Sequence, residues 1–122
     1  MWDLYANTET DTYIWPHKTE LIGTGLAMEI PKDYWGGLFP RSGIATKKGL
    51  RLANCVGVID SDYRGEIKVA VHNDRDSMKK IEPHERIAQF ALLPKFNLTF
   101  EEVTELNETT RGEGGFGSSG SK

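Results

Sequence analysis

Two carboxylates stand close together in the segment GVIDSDYRG, residues 57–65, where Asp60 follows an apolar run and Asp62 comes two residues later. An aspartate at such a place can act as a general base, bind a metal ion or simply belong to a turn. Gly, Asp and Ser favour the turn, whereas the apolar residues that lead into Asp60 indicate a strand. All three interpretations stay open on residue types alone.

Three further segments carry groups suited to phosphate or to a planar ligand. PRSG, residues 40–43, combines an arginine, a hydroxyl and a glycine that lets a ligand approach the backbone. Gln89 lies in an apolar run, where its amide needs partners. RGEGGFGSSG, residues 111–120, places five glycines around Phe116, a candidate base-stacking ring in an anion-binding loop. Each segment is also compatible with an ordinary role, namely a turn, a structural glutamine and a mobile tail.

The histidines and the cysteine give little support for a metal or thiol site. His17, His72 and His84 have no Cys or His neighbour at ligand spacing, which argues against zinc. Cys55 is the single cysteine, so no intrachain disulfide can form, and a reducing compartment fits. We expect Cys55 to be a small buried apolar residue.

Composition narrows the class of protein. The chain has 122 residues and a formal net charge of -3, which predicts one domain and argues against duplex nucleic acid as a partner. No apolar run approaches the roughly 18 residues that a membrane span needs, and the N-terminus lacks signal-peptide features. These observations predict a soluble, cytoplasmic protein without nucleic-acid or membrane partners.

Strand signals dominate the chain. In EIKVAVHN, residues 66–73, Ile67, Val69 and Val71 share one face of an alternating pattern, which predicts a half-buried strand. RIAQFALLP, residues 86–94, is an apolar run consistent with a buried strand.

Other segments predict further short elements. ELIGTGLAMEIP, residues 20–31, indicates a strand that carries glycine at positions 23 and 25. FNLTFEEVTEL, residues 96–106, indicates another strand, and RSGIATKKG, residues 41–49, could hold one helical turn. Many short strands separated by turn residues predict a β-sandwich, a jelly roll or a barrel.

Taken in order, these segments resemble the motifs of the trimeric dUTPase family. The matching segments are WDLYA (2–6), PRSG (40–43), NCVGVIDSDYRGEIKVAV (54–71), ERIAQFALLP (85–94) and RGEGGFGSSG (111–120). The resemblance implies an all-β, distorted jelly-roll β-barrel that assembles as a homotrimer. It also implies a β domain at residues 1–110 and a flexible Gly-rich C-terminal arm at residues 111–122, exchanged with or closing over a neighbouring site.

The resemblance further implies hydrolysis of dUTP to dUMP and pyrophosphate with Mg²⁺, which limits uracil incorporation into DNA and supplies dUMP. Asp60 is then the general base for water attacking the α-phosphate, and Asp3 contacts the metal through water. The implied substrate-binding residues are Arg41, Ser42, Gly43, Asn54, Gly57, Val58, Ile59, Tyr63, Gln89, Arg111, Phe116, Gly117 and Ser118.

Within that set the resemblance divides the roles. Gly57 to Ile59 read the uracil edge with Asn54 in support, and Tyr63 excludes a ribose 2′-hydroxyl. Arg41, Ser42, Gly43 and Gln89 bind phosphates, as Arg111 does at the γ-phosphate. Phe116 stacks on the base, while Gly117 and Ser118 close over the triphosphate.

Two other functions remain compatible with the sequence. One is a dCTP deaminase, or a bifunctional deaminase and dUTPase, of the same fold. The other is a regulatory protein that keeps the fold for partner recognition. The chain also departs from the family pattern at Met1 and His84, each of which stands where the family has glycine. We expect His84 to alter a turn and not the chemistry.

Overall fold

The computed structural model describes all residues, 1–122. It contains nine short strands and one helix. The elements are β1 (Trp2–Tyr5), β2 (Thr12–Ile14), β3 (Thr19–Gly23), β4 (Tyr34–Phe39), α1 (Ser42–Lys48), β5 (Leu50–Leu52), β6 (Gly57–Ile59), β7 (Lys68–Asn73), β8 (Lys79–Ile81) and β9 (Arg86–Pro94). No helix is both long enough and apolar enough to cross a membrane.

The strands form three antiparallel sheets. The largest has the order β1-β9-β4-β6, a second pairs β2 with β8, and the third has the order β3-β7-β5. The strand β9 pairs with both β1 and β4, so it lies inside its sheet as an apolar run predicts. The strand β6 is the last in its sheet, which leaves one of its backbone edges unpaired.

The core confirms the alternation predicted in β7. Val69 and Val71 are almost fully buried, Lys68 is exposed, and Ile67 just before the strand is buried as well. Sixteen buried apolar side chains form one cluster that all three sheets enclose. Burial of each Val, Leu, Ile or Phe side chain in this cluster stabilises the fold by roughly 1.5–3 kcal/mol.

Two predicted elements have different bounds in the structure. The strand β3 ends at Gly23, and the chain then turns at Gly25, whose φ of 73° favours glycine. The helix α1 has seven residues rather than one turn, and Gly49 ends it with φ 69° while donating its backbone N–H to Ala45 O.

Two predictions were wrong. Residues 96–106 form no strand, because their alternating apolar side chains find no partner strand within this chain. Cys55 is exposed rather than buried, because it occupies a turn with φ 66° just before β6.

Candidate functional site

The strand β6 and the turn after it position Asp60. Gly57 pairs with Leu38 on β4, and a Cβ added at Gly57 would lie 2.9 Å from Leu38 Cβ, so the close pairing requires glycine. Tyr63 N donates to Asp60 O at 3.1 Å, which closes the turn that the sequence indicates. Asn54 is exposed in the preceding turn, where its carbonyl accepts from Val56 N at 2.7 Å.

Tyr63 forms one wall of a cleft beside β6. Its hydroxyl donates to Glu66 O at 2.8 Å, and its ring lies against Gly65, where an added Cβ would come within 2.4 Å of Tyr63 Oη. The cleft has a volume of about 310 Å³. Its lining comprises Leu21, Val58, Ile59, Asp60, Tyr63, Glu66 and Lys68. The structure therefore brings four of the predicted site residues together.

Sequence reasoning missed three residues of this cleft, namely Leu21, Glu66 and Lys68. Leu21 comes from β3, in a different sheet from β6, and no local pattern connects the two. For Lys68 a signal existed, since the alternation of β7 directs it away from the core.

Asp60 also borders a second cleft, which is polar and has a volume of about 390 Å³. Its lining comprises Lys32, Asp33, Tyr34, Trp35, Asp60, Ser61, Asp62, Lys95 and Asn97. The carboxylate of Asp60 therefore lies between a partly apolar cleft and a charged one, and it is exposed to both.

A second group of predicted residues gathers at Asp3. Arg41 Nε donates to Asp3 Oδ1 at 3.1 Å, and Arg86 Nη1 lies 3.4 Å from Asp3 Oδ2. Gln89 is directly opposite Asp3 in the pairing of β1 with β9, so both side chains lie on the same face of the sheet. Desolvation raises the pKa of Asp3, but the charges of Arg41 and Arg86 and their hydrogen bonds outweigh it and hold the pKa below its ordinary value.

Helix α1 begins directly after Arg41, next to this group. Backbone N–H groups in the first turn of a helix have no partner within the helix, so those of Ser42 and Gly43 are open to a ligand. A Cβ added at Gly43 would meet nothing within 4 Å, so nothing within this chain requires glycine there. That space suits close approach of an external group.

The C-terminal residues form a third group, whose hydrogen bonds lie among residues 109–120. Arg111 Nε donates to Gly114 O at 2.6 Å within its own loop. Phe116 is fully exposed at φ 52°, a left-handed conformation that is strained for a bulky residue. Gly117 has φ 86°, and Ser118 N donates to Gly115 O at 3.1 Å. The loop presents the ring of Phe116 to the outside.

Within one chain the first two groups lie at opposite ends of β4. Asp60 shares its cleft with Trp35, near the start of that strand, whereas Arg41 follows its end and Gln89 pairs with Phe39 there. Arg41 lies six positions after Trp35, which corresponds to roughly 20 Å of extended chain. The candidate general base and the candidate phosphate-binding residues are therefore not neighbours in a single copy.

No group of three or more His, Cys, Asp or Glu side chains is arranged to hold a metal ion. Asp3 is the one predicted metal contact, and both of its carboxylate oxygens face arginines.

Comparisons with known proteins agree on one family. A family model described as dUTPase matches residues 1–120. The deoxyuridine 5'-triphosphate nucleotidohydrolase of Idiomarina loihiensis is 49% identical over 119 residues, which cover 97% of this chain and 79% of that protein.

Solved structures show the same fold. A dUTPase of Staphylococcus bacteriophage 80alpha, solved with dUpNHpp, superposes with a TM-score of 0.84 at 29% identity, covering 97% of this chain and 84% of that one. A dUTPase from phage phi11 of S. aureus, described with a structural Mg(II) ion, has a TM-score of 0.73 at 22% identity over 84% of this chain and 82% of its own. The expectation of a jelly roll is thereby supported.

Proposed function

Because the chain belongs to the dUTPase family and hydrolyses dUTP to dUMP and pyrophosphate, we propose that the cleft beside β6 binds the nucleoside and that Asp60 acts as the general base. The observation that carries this proposal is that Asp60 and Tyr63 line one cleft next to an unpaired strand edge. The reaction limits uracil incorporation into DNA and supplies dUMP.

The free edge of β6 suits the uracil base. An unpaired strand edge offers alternating N–H and C=O groups, and the Watson–Crick edge of uracil alternates acceptor, donor and acceptor. Gly57 to Ile59 supply this edge, with Asn54 supporting the turn before it. Tyr63 then packs against the deoxyribose and leaves no room for a 2′-hydroxyl.

Asp60 has the access that a general base needs. Its exposed carboxylate lies at the junction of the nucleoside cleft and the polar cleft, where an α-phosphate and an attacking water both have room. An aspartate within hydrogen-bond reach of water can orient it and accept its proton as the P–O bond forms.

We propose that the phosphate-binding residues come from a second copy of the chain. Arg41, Ser42, Gly43 and Gln89 lie at the far end of β4 from Asp60, so one copy does not place all of them around a single triphosphate. An arginine fork and free helical N–H groups are suited to phosphate oxygens.

The outer face of the largest sheet supports assembly into a homotrimer. Trp35, Phe39 and Leu93 are half-buried on this face and Val58 is exposed, so an apolar strip runs from one group of site residues to the other. Contact between copies along this strip would bury it and bring the two groups together. Three copies are what the family resemblance implies.

The C-terminal residues complete the proposed site. Phe96, Leu98 and Phe100 are at least three-quarters exposed and alternate along an extended segment, so they are available to a neighbouring copy. Residues 111–122 then act as a flexible arm beyond the β domain of residues 1–110. In that arm Phe116 stacks on uracil, Arg111 reaches the γ-phosphate, and Gly117 and Ser118 close over the triphosphate.

Mg²⁺ fits this arrangement as an ion that the triphosphate itself binds. Asp3 is a single ionised carboxylate that two arginines already contact, which suits one contact through water rather than a protein-built metal site. When bound, Mg²⁺ neutralises phosphate charge and fixes the triphosphate conformation. The single exposed cysteine and the nucleotide substrate are compatible with a cytoplasmic location.

Pyrophosphate release from dUTP, dCTP, dTTP and UTP, with and without Mg²⁺, tests this function. We expect release from dUTP alone and a strong dependence on Mg²⁺. Ammonia released from dCTP would instead support a deaminase of the same fold, and no turnover of any nucleotide would support a regulatory role.

A further inference from the structure

The segment after β3, residues 24–26, holds the residues just before β7 with four hydrogen bonds. Thr24, a buried polar residue, donates to Ile67 O through both Oγ1 at 2.7 Å and its backbone N at 3.1 Å. Ile67 N in turn donates to Leu26 O at 2.7 Å. Gly25 N donates to the Glu66 carboxylate at 3.2 Å. Residues 66 and 67 are therefore fixed on both sides by residues 24–26.

The Glu66–Ile67 peptide, whose N–H donates to Leu26 O, carries the acceptor that holds Tyr63. The Tyr63 hydroxyl donates to Glu66 O, one residue before Ile67, and the ring rests on Gly65 without space for a methyl group. Tyr63 is 43% exposed. Its contacts with Glu66 and Gly65 hold the inner side of the ring, while the outer side faces the cleft. Movement of the Glu66 carbonyl would move the phenol with it.

On the basis of the proposed function, we propose that Thr24 is a positioning residue for selection of deoxyribose over ribose. It holds the carbonyl of Ile67, and the N–H of the same residue belongs to the Glu66–Ile67 peptide that carries the acceptor of the Tyr63 phenol. Exclusion of one hydroxyl group by a wall of the cleft requires that the wall stay in place. Thr24 touches neither substrate nor reacting atoms, and its effect reaches the cleft only through backbone.

The test is the ratio of kcat/KM for dUTP to that for UTP in four variants. Thr24→Val keeps the side-chain shape and removes the hydroxyl, which donates to Ile67 O and accepts from Leu26 N at 3.3 Å. We expect the ratio to fall by about fivefold or more, as loss of the buried bond to Ile67 O would give. Thr24→Ser keeps the hydroxyl and should retain the wild-type ratio. Tyr63→Phe should lower the ratio to a similar extent. The ratio of the double variant Thr24→Val/Tyr63→Phe should be no lower than that of either single variant, because both changes break the same chain of hydrogen bonds.

A matched control separates positioning from stability. Ile14→Val, in the fully buried β2 position, should lower the melting temperature and leave the dUTP/UTP ratio unchanged. A Thr24→Val protein that melts earlier but keeps the wild-type ratio would overturn the proposal. If Thr24→Val does not fold, Tyr63→Phe tests the proposal. An unchanged dUTP/UTP ratio in that variant would show that the bond to Glu66 O does not hold the phenol that excludes the 2′-hydroxyl. A wild-type protein without preference for dUTP would instead contradict the proposed function itself.

Discussion

At the scale of single residues, Asp60 and Asp3 show how the same side chain lies in two different environments. Asp60 is exposed at the junction of two clefts, so its carboxylate is free to engage water. Asp3 is half-buried between Arg41 and Arg86, so its charge holds two arginines in place. Neighbouring charge and access to solvent, rather than residue type, distinguish the two carboxylates and support the different roles proposed for them.

The lowered pKa of Asp3 predicts how the stability of this region depends on pH. A carboxylate whose pKa is lower in the folded state than its ordinary 3.8 stabilises the fold above that pH, and the contribution disappears as pH falls through the folded pKa. Asp3→Asn should therefore melt at a lower temperature than wild type at pH 7. The difference should shrink once the pH is taken below 3.8. Thermal unfolding of both proteins from pH 7 to pH 2.5 measures this.

Asp62→Asn provides the control for that experiment, because Asp62 is exposed and takes part in none of the ion pairs around Asp3. Its melting temperature should follow that of wild type across the range. A constant difference between Asp3→Asn and wild type at every pH would contradict the account.

Candidate site residues were easier to recognise from the sequence than their surroundings. Asp60 was a candidate from its segment and Tyr63 from the family resemblance, and the structure places both in one cleft. Leu21 could not be recognised, because only the packing of two sheets brings it to that cleft. Cys55 was misjudged because a small apolar residue favours burial, whereas its turn conformation forces it outward.

At the scale of elements, two turns use histidine in a conformation that favours glycine. His17 and His84 each follow a proline and have φ of 58° and 63°. In each turn a backbone N–H bonds to the carbonyl three residues earlier, Lys18 N to Trp15 O and Glu85 N to Glu82 O. This is the pattern of a type II turn, in which glycine is preferred at the histidine position.

His84→Gly should therefore stabilise the protein by about 0.5–1 kcal/mol, because the strain of a left-handed non-glycine residue disappears. His17→Gly is the matched comparison and should gain less, since it also loses the contact of His17 Nε2 with Asp76 Oδ1 at 2.8 Å. Urea denaturation of wild type, His84→Gly and His17→Gly gives their free energies of unfolding. A destabilised His84→Gly would show that the side chain makes a contact that outweighs the strain.

The arm gives the second prediction at this scale. Deletion of residues 111–122 removes only surface loop, so unfolding should stay as in wild type. Turnover of dUTP should fall by roughly a hundredfold or more if closure of the arm orders the triphosphate and excludes water. Phe116→Ala should lower turnover of dUTP by about tenfold, as loss of one stacking contact would give. Steady-state pyrophosphate release distinguishes a closing arm from a tail without function. A tail without function would leave both variants fully active.

Local patterns predicted the elements that are complete within one chain. The alternation of β7 and the apolar run of β9 were sufficient, because their partners belong to the same copy. The pattern at residues 96–106 predicted a strand that is absent, because alternation describes a surface ready for pairing and not the presence of a partner. The helix was underestimated because its last turn depends on the cap at Gly49.

At the scale of the whole molecule, the central feature is the division of the candidate site residues between the two ends of β4. Asp60 and Tyr63 lie at one end, and Arg41 and Gln89 lie at the other. The order of the segments along the chain gives no information on this division, since only the strand direction and register place them apart. Under the proposed function, assembly of copies completes the site.

Subunit complementation tests this feature most directly. Asp60→Asn and Arg41→Ala proteins, each inactive alone, are unfolded, mixed in equal amounts and refolded, with assembly checked by sedimentation. If each site takes Asp60 from one copy and Arg41 from another, about a quarter of the sites in random mixed trimers contain both native residues. We predict recovery of about that fraction of wild-type dUTP hydrolysis. Mixed assemblies with no more activity than the two parents would contradict the account, because a site contained in one chain would always carry one of the defects.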